Sequence, residues 1–246
     1  MTLTCDDKAI ILGHPSYGWG FGQTRRLNMI RRFVSLEGKA TLDIGCGIGT
    51  YLRQLQRFSP LIYGIEMDRE RAHQAAESLP YIVVAQGERL PFRDEVFDVA
   101  LLHEVIEHVG DDGQTIREAF RVVREGGHIV VFAPNRWYPF ETHGFYLGKR
   151  YIFKLAPLLN YLPNRLRRWF VPHVRAYSVS DLKRLWKGLN LATVVHTQVY
   201  PGFDRLCAQR PGLGRLVRRV CYFLEQTPFR AFGLSHFVVL QKTLVS

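Results

Sequence analysis

TLDIGCGIGTYL, residues 41–52, decides how the rest of the chain is read. An apolar run carries an acid, Asp43, and then Gly45, Gly47 and Gly49 fall at every second position. Glycines directly after a strand permit a tight turn and let main-chain N–H groups approach a ligand with no Cβ between. The dinucleotide pattern G-x-G-x-x-G fails, because Thr50 stands at the third glycine position, and no Gly-Lys-Ser/Thr phosphate loop follows. Asp43 would repel a pyrophosphate. It suits a ligand that carries an ammonium group.

Working outward, ATLDIG reads as a strand and IGTYLRQLQRF as the helix after it. LIYGIEMD (61–68) is a second strand, RERAHQAAESL a second helix, and YIVVAQG a third strand. FDVALLH (97–103) is a fourth. GQTIREAFRVVREGG reads as an amphipathic helix ended by its glycines, and HIVVFAPN (128–135) is a fifth strand. Strict alternation predicts right-handed crossovers and an α/β fold. LATVVHTQVY and SHFVVLQKT (235–243) complete a seven-stranded, mostly parallel, Rossmann-like sheet with helices on both faces, and basic, aromatic helical insertions interrupt it. Ligands of such sheets bind beyond the carboxyl ends of the strands. Gly45, Glu66, Gln86, His103 and Pro134 stand at those ends.

The chain of 246 residues is 47% apolar, which suits one domain. It contains no apolar run of the roughly 18 residues that spans a bilayer. The start, MTLTCDDKAI, lacks the basic region and apolar core of a secretory signal. Cys5, Cys46, Cys207 and Cys221 have no paired spacing, so reduced thiols and a cytoplasmic protein are expected, without a cysteine zinc site. The net charge of +11 is uneven: residues 137–246 hold 17 Lys/Arg against 4 Asp/Glu. That half is expected to meet something anionic.

The run LDIGCGIGTY resembles the first motif of class I S-adenosylmethionine (SAM) methyltransferases. YGIEMD, ERLPFRDEVFDVALLHEVIEHV and GGHIVVFAPN extend the resemblance over about residues 40–135. It is similar to the small-molecule branch that tailors quinones, lipids and glycans. The resemblance implies a SAM-binding core at 41–136, an N-terminal lid and helix at 1–40, a substrate cap at 137–177 and a C-terminal part at 178–246 with a second insertion at 204–232. It places Asp43, Gly45, Cys46, Gly47 and Gly49 around the methionyl and ribose parts of SAM. Glu66 would accept both ribose hydroxyls. Met67 would pack on adenine, Gln86 would stand where the family has an aspartate for the adenine amino group, the Gly87 N–H would meet an adenine nitrogen, and His103 would line the methionyl end. Cys46 is read as a small residue that fits. Tyr17 and Trp19 are read as lid residues, and Arg25 or Arg26 as a partner of the SAM carboxylate.

A sulfonium is already an activated donor, so the protein chiefly aligns an acceptor and excludes water. A base matters where the acceptor is a hydroxyl. HEVIEH (103–108) is the candidate: if helical, Glu104 shares a face with Glu107 and His108. The string E-V-I-E-H matches one in quinone O-methyltransferases, where it is associated with a divalent cation. A structural turn, a base and a cation site all stay open, and no metal ligand is assigned. Glu104, His108 and His143 are the expected catalytic residues. LGRLVRRVCYFLEQ (213–226) reads as an amphipathic helix with Leu213, Leu216, Val217, Val220, Cys221 and Leu224 on one face and Arg215, Arg218, Arg219 and Glu225 opposite. The expected acceptor is a hydrophobic or lipid-linked small molecule, methylated at oxygen, with an anionic membrane surface as a possible partner. An RNA methyltransferase and a non-catalytic SAM-binding regulator are the alternatives. Nucleic acid ranks lower because no Asn-Pro-Pro-Tyr motif follows the fourth strand.

Overall fold

The computed structural model describes residues 18–244. A first helix, α1 (Phe21–Phe33), leads into β1 (Thr41–Ile44), α2 (Thr50–Leu55), β2 (Ile62–Glu66), α3 (Arg69–Ala76), β3 (Ile82–Val84), β4 (Phe97–His103), α4 (Asp112–Val122) and β5 (Val123–Pro134). The cap follows. It consists of short strands β6 (Phe140–Glu141), β7 (Phe145–Leu147), β8 (Arg150–Ile152) and β9 (Ala156–Pro157), then α5 (Asn164–Phe170). The chain returns through α6 (Val179–Leu185) and β10 (Leu191–Val199), forms α7 (Asp204–Gln209) and α8 (Pro211–Leu224), and ends on β11 (Ser235–Lys242).

One sheet of seven strands runs in the order β10-β11-β5-β4-β1-β2-β3. β1, β2, β3, β4 and β5 pair in parallel, while β11 is antiparallel to both β5 and β10. This is the Rossmann-like sheet read from the sequence. Its central strands are apolar on both faces because helices cover both. Ala100, Leu102, Ile129 and Val131 pack toward α4 and α6 through Ile116, Ala119, Val122 and Leu182. The alternate residues Val99, Leu101, Val130 and Phe132 face α1 and α2 through Leu27, Ile30, Leu52 and Leu55. A period of two with both phases buried is what a covered parallel sheet requires. The strand order reverses between β1 and β4, which puts the Gly45 turn beside His103.

Two expectations need correction. The helix expected over 113–127 does not run to its glycines. It stops at Val122, and Val123 is already strand, paired with Phe97 and wholly buried. Burial in the ladder wins over helical periodicity there. The cap is not mainly helical: Phe145–Leu147 and Arg150–Ile152 form an antiparallel hairpin, turned at Gly148, which has φ +62°. Helix α8 buries parts of both its faces: Val217, Cys221 and Leu224 are half-buried, and so are Arg218 and Glu225. Arg218 and Glu225 turn toward the protein, to the Gly202 carbonyl and to Arg25. Leu216 and Phe223 are 60% and 65% exposed. The inward side is mixed: Gly214 is buried, and Val217, Cys221 and Leu224 lie half-buried beside Arg218.

Cys46, Cys207 and Cys221 are free thiols. Cys5 and Tyr17 lie outside the described residues. Among the described residues, no helix is long and apolar enough to cross a membrane.

Candidate active site

The carboxyl ends of the central strands open into one cavity of about 1010 Å³. Gly45, Glu66, Gln86, His103 and Pro134, each at or just past a strand end, all line it. So do Asp43, Cys46, Gly47, Met67 and Gly87. Gly49 is not among the lining residues; it starts α2 with φ +80° and supports the turn from behind.

The turn is built for close approach. Gly45 has φ +74°, and a Cβ there would stand 2.7 Å from Val105. Gly47 has φ +55° and nothing within 4 Å of a would-be Cβ, so its backbone faces open space. The carboxylate of Glu66 accepts from the Gly47 N–H and the Asp68 N–H, both at 2.9 Å. It is thereby locked at the rim, with further lone pairs for a ligand. Asp43 is buried one strand away. Burial, and then the charge of Glu66, push its carboxyl up to about 8. Burial also holds the Cys46 thiol protonated, which fits a small packing residue rather than a nucleophile.

Beyond β4 the chain does not form a helix. Glu104 adopts φ +57°, a conformation side chains rarely take, and His108 closes a tight turn onto the Val105 carbonyl at 2.9 Å. The helical face expected for Glu104, Glu107 and His108 is therefore absent. Glu104 pairs with Arg26 at 2.8 Å and accepts from the Ser235 hydroxyl at 2.7 Å. Burial opposes its charge, but Arg26, His103 and Ser235 outweigh it and hold the carboxyl at about 2. Arg26 also donates to Nε2 of His103 at 3.0 Å. A guanidinium cannot accept, so His103 carries its proton on Nδ1. Burial, and then Arg26, lower the His103 pKa to about 3, so the ring stays neutral.

Glu107 is 1% exposed, and neither of its oxygens has a hydrogen-bond partner. Burial, and then the charge of Glu104, raise its carboxyl well above the usual range. Its neighbours are His108 and, from the cap, His143; one ligand atom of each of the three lies within 4.8 Å of the others. The cation that the resemblance associates with Glu104, Glu107 and His108 does not fit that set, because Glu104 is committed to Arg26 and Ser235.

His143 is held from behind by residues the sequence reading missed. Its Nδ1 lies 3.0 Å from Glu141, whose other oxygen accepts from Arg167 at 2.6 Å. The N–H groups of Thr142 and His143 add two more bonds to Glu141, both at 2.9 Å. Burial would raise Glu141, but His143 and Arg167 outweigh it and hold it at about 2. The one signal in the sequence was an acid, Glu141, inside an otherwise basic insert.

Of the two arginines proposed for the SAM carboxylate, both line the cavity, and both already have partners. Arg25 pairs with Glu225 and stacks 3.9 Å from the Tyr222 ring. Trp19 packs edge-on against Tyr51, 4.9 Å between centroids, one layer behind the cavity wall.

Fold and turn together define a class: a parallel α/β sheet with an acidic, glycine-lined berth at its switch point, the architecture of class I SAM-dependent methyltransferases. The comparisons agree. Residues 42–131 match the family described as a methyltransferase domain. It is 34% identical over 142 residues to the ubiquinone biosynthesis O-methyltransferase of Pseudomonas fluorescens, covering 54% of this chain and 60% of that one. It is 38% identical over 115 residues to an uncharacterized 37.1 kDa protein in transposon TN4556 of Streptomyces fradiae, covering 44% of this chain and 33% of that one. The chain thus spans about a third to three-fifths of the length of these curated relatives. A SAM-dependent methyltransferase from Mesorhizobium loti has a similar fold, with a TM-score of 0.60 at 17% identity over 87% of this chain and 96% of that one.

Proposed function

We propose that the chain transfers a methyl group from SAM to a hydroxyl of a hydrophobic or lipid-linked small molecule. The observation that carries this reading is the continuity of the cavity. One end is the Asp43–Glu66 berth at the glycine turn, and the other reaches His108 and His143 beneath the cap. Its volume of about 1010 Å³ stands at the upper end of the roughly 300–1,000 Å³ typical of single-ligand sites, which suits a cofactor and an acceptor side by side. In this arrangement Asp43 neutralises the ammonium of SAM, Glu66 takes the ribose, and Met67, Gln86 and Gly87 surround the adenine. His108 and His143 receive the acceptor hydroxyl. Glu104 acts indirectly, holding Arg26 and through it the neutral His103 ring.

The step is an in-line displacement. The acceptor oxygen bonds to the methyl carbon as the S–CH₃ bond breaks, S-adenosylhomocysteine leaves, and the hydroxyl proton is released. Alignment and exclusion of water by the cap supply most of what the protein must add. The likeness to a ubiquinone biosynthesis O-methyltransferase supports an oxygen acceptor on a greasy molecule.

The outward apolar stripe of α8 favours an acceptor embedded in a membrane. Leu213, Leu216, Val220 and Phe223 recur at helical spacing and are exposed. Arg215 and Arg219 flank them, and the cap adds Leu155 and Trp169, 64% and 76% exposed. An apolar face ringed by arginines matches the surface of an anionic bilayer.

Incubation with methyl-labelled SAM and a total lipid extract tests the reading. Label in the organic phase is expected. Label found in RNA alone would move the acceptor to nucleic acid, and SAM binding without any labelled product would point to a regulator.

A further inference from the structure

We infer that Arg175, at the root of the cap, is a positioning residue that ties cofactor binding to the seating of the cap. It works through a strap, residues 106–111, that forms part of the cavity wall between them. This rests on the cofactor berth described above and does not depend on which acceptor is methylated.

The strap has little regular structure of its own. Between β4 and α4 the chain makes one tight turn, with the His108 N–H on the Val105 carbonyl, and no helix or strand. Main-chain groups left over by such a loop must find donors and acceptors elsewhere. They find them at two points far apart in the sequence.

On the cap side, the carbonyls of Ile106, Glu107, Val109 and Gly110 all accept from Arg175. Its main-chain N–H meets Glu107 at 3.2 Å. Nη1 donates to Val109 at 2.5 Å and reaches Ile106 at 3.5 Å, while Nη2 donates to Gly110 at 2.8 Å. A planar guanidinium with five N–H donors can serve several carbonyls at once, which a lysine cannot do in a fixed geometry. Two residues on, buried Tyr177 sets its hydroxyl 2.9 Å from both the Ile106 carbonyl and the Asp112 carboxylate.

On the cofactor side, Oε1 of Glu88 accepts from the Gly110 N–H at 2.7 Å and the Asp111 N–H at 3.3 Å. Glu88 lines the cavity just past β3, next to Gly87, which the berth places at adenine. The peptide groups of Gly110 are thus divided: the N–H goes to the adenine side and the carbonyl to the cap.

His108, Val109, Gly110 and Asp111 line the cavity, and Arg175 is not among the lining residues. Arg175 therefore reaches a bound nucleoside only through the strap. The strap also carries His108 to the cap's His143, 5.7 Å between ring centroids. A cofactor resting on the strap fixes the carbonyls from which the cap root hangs. A seated cap, in turn, fixes the wall on which the cofactor rests. Coupling of this kind is reciprocal.

Hydrogen exchange read by mass spectrometry on the full chain tests this, with S-adenosylhomocysteine as the probe. In the parent protein the ligand is expected to slow exchange both in 106–111 and in the cap, 137–177. Arg175→Met keeps an aliphatic stem and loses every side-chain donor. In that variant the ligand should leave cap exchange unchanged, and its affinity by calorimetry should fall about 5–50-fold. Glu88→Ala cuts the strap at its other end and should likewise uncouple the cap, so the test holds even where one variant folds poorly. Arg175→Lys restores the charge without the fork and should recover only part of the affinity. Ligand-dependent cap protection that persists in both Arg175→Met and Glu88→Ala overturns the proposal and marks the two residues as structural only, even where the melting temperature falls. Ligand that binds the parent without slowing the cap overturns it as well and leaves the cofactor berth standing. A parent that binds no S-adenosylhomocysteine sinks the berth instead. The strap is then judged on the free protein, where equal exchange over 106–111 in the parent and Arg175→Met overturns it and faster exchange in the variant supports it.

Discussion

Arg26 reaches across from the first helix to Glu104, 2.8 Å away, and the residue it holds sits in left-handed backbone at φ +57°. The pair fixes the end of β4 against α1. Arg26→Gln removes the charge that keeps Glu104 ionised in a largely dry setting. Breaking a fully buried pair costs about 3–5 kcal/mol, and partial exposure of Glu104 brings the expected loss to roughly 2–3 kcal/mol. Denaturant unfolding of the variant checks this. A loss under ~0.5 kcal/mol would show that the pair is ornamental.

Gly45→Ala must place a Cβ 2.7 Å from Val105 at φ +74°. The left-handed conformation alone costs about 1–2 kcal/mol. A fall in melting temperature of about 4–8 °C is expected, together with loss of S-adenosylhomocysteine binding. Gly47→Ala meets no neighbour within 4 Å. It should therefore lose more affinity than stability, and a calorimetric titration beside a melting curve separates the two.

Asp43 gives the pH dependence. With its pKa pushed up to about 8, the folded protein carries a proton there at neutral pH that an unfolded chain, titrating near 3.9, has already lost. The native state binds more protons between those values, so this group's contribution to stability falls as pH rises from about 4 to about 8. An ammonium-bearing ligand needs the ionised form. Affinity for S-adenosylhomocysteine should therefore tighten, by up to about tenfold per pH unit, as pH rises from about 6 toward 8, with a proton released on binding. Asp43→Asn should bind weakly and flatten the profile. A pH-independent affinity in the native protein would contradict the assignment.

The outward stripe of α8 makes a prediction of a different kind. Leu216→Glu and Phe223→Glu alter side chains that are 60% and 65% exposed. Stability should change by less than about 0.5 kcal/mol, as surface substitutions usually do. Flotation with vesicles rich in anionic lipid should drop severalfold. Equal flotation of variant and parent would remove the membrane surface from the account.

Much of this was legible in the sequence. The sheet was readable because each central strand is apolar in both phases and each is bounded by a helix. The berth was readable because Asp43, the three glycines and Glu66 lie at strand ends, where topology alone brings them together. The acceptor end was harder. Glu104, Glu107 and His108 look like one helical face, but Glu104 turns left-handed and no helix forms there. Its partners Arg26 and Ser235 come from 78 residues before it and 131 after it, and no local pattern predicts such a meeting. The support of His143 by Glu141 and Arg167 is likewise a matter of tertiary packing. The orientation of α8 was not legible, because periodicity shows that a helix has two faces, not which of them the protein keeps.

Helix α1 begins at Gly20, a residue with no side chain to hold its first N–H groups. Those of Phe21 and Gly22 are received instead by the carboxylate of Asp204, 3.1 and 3.0 Å away and more than 180 residues later in the chain. Arg218 closes over the same corner, 3.9 Å from the ring of Phe21. Among the described residues, the earliest helix is thus completed by a segment of the C-terminal quarter. On a ribosome, this wall of the cavity has to wait for the C-terminal quarter to emerge.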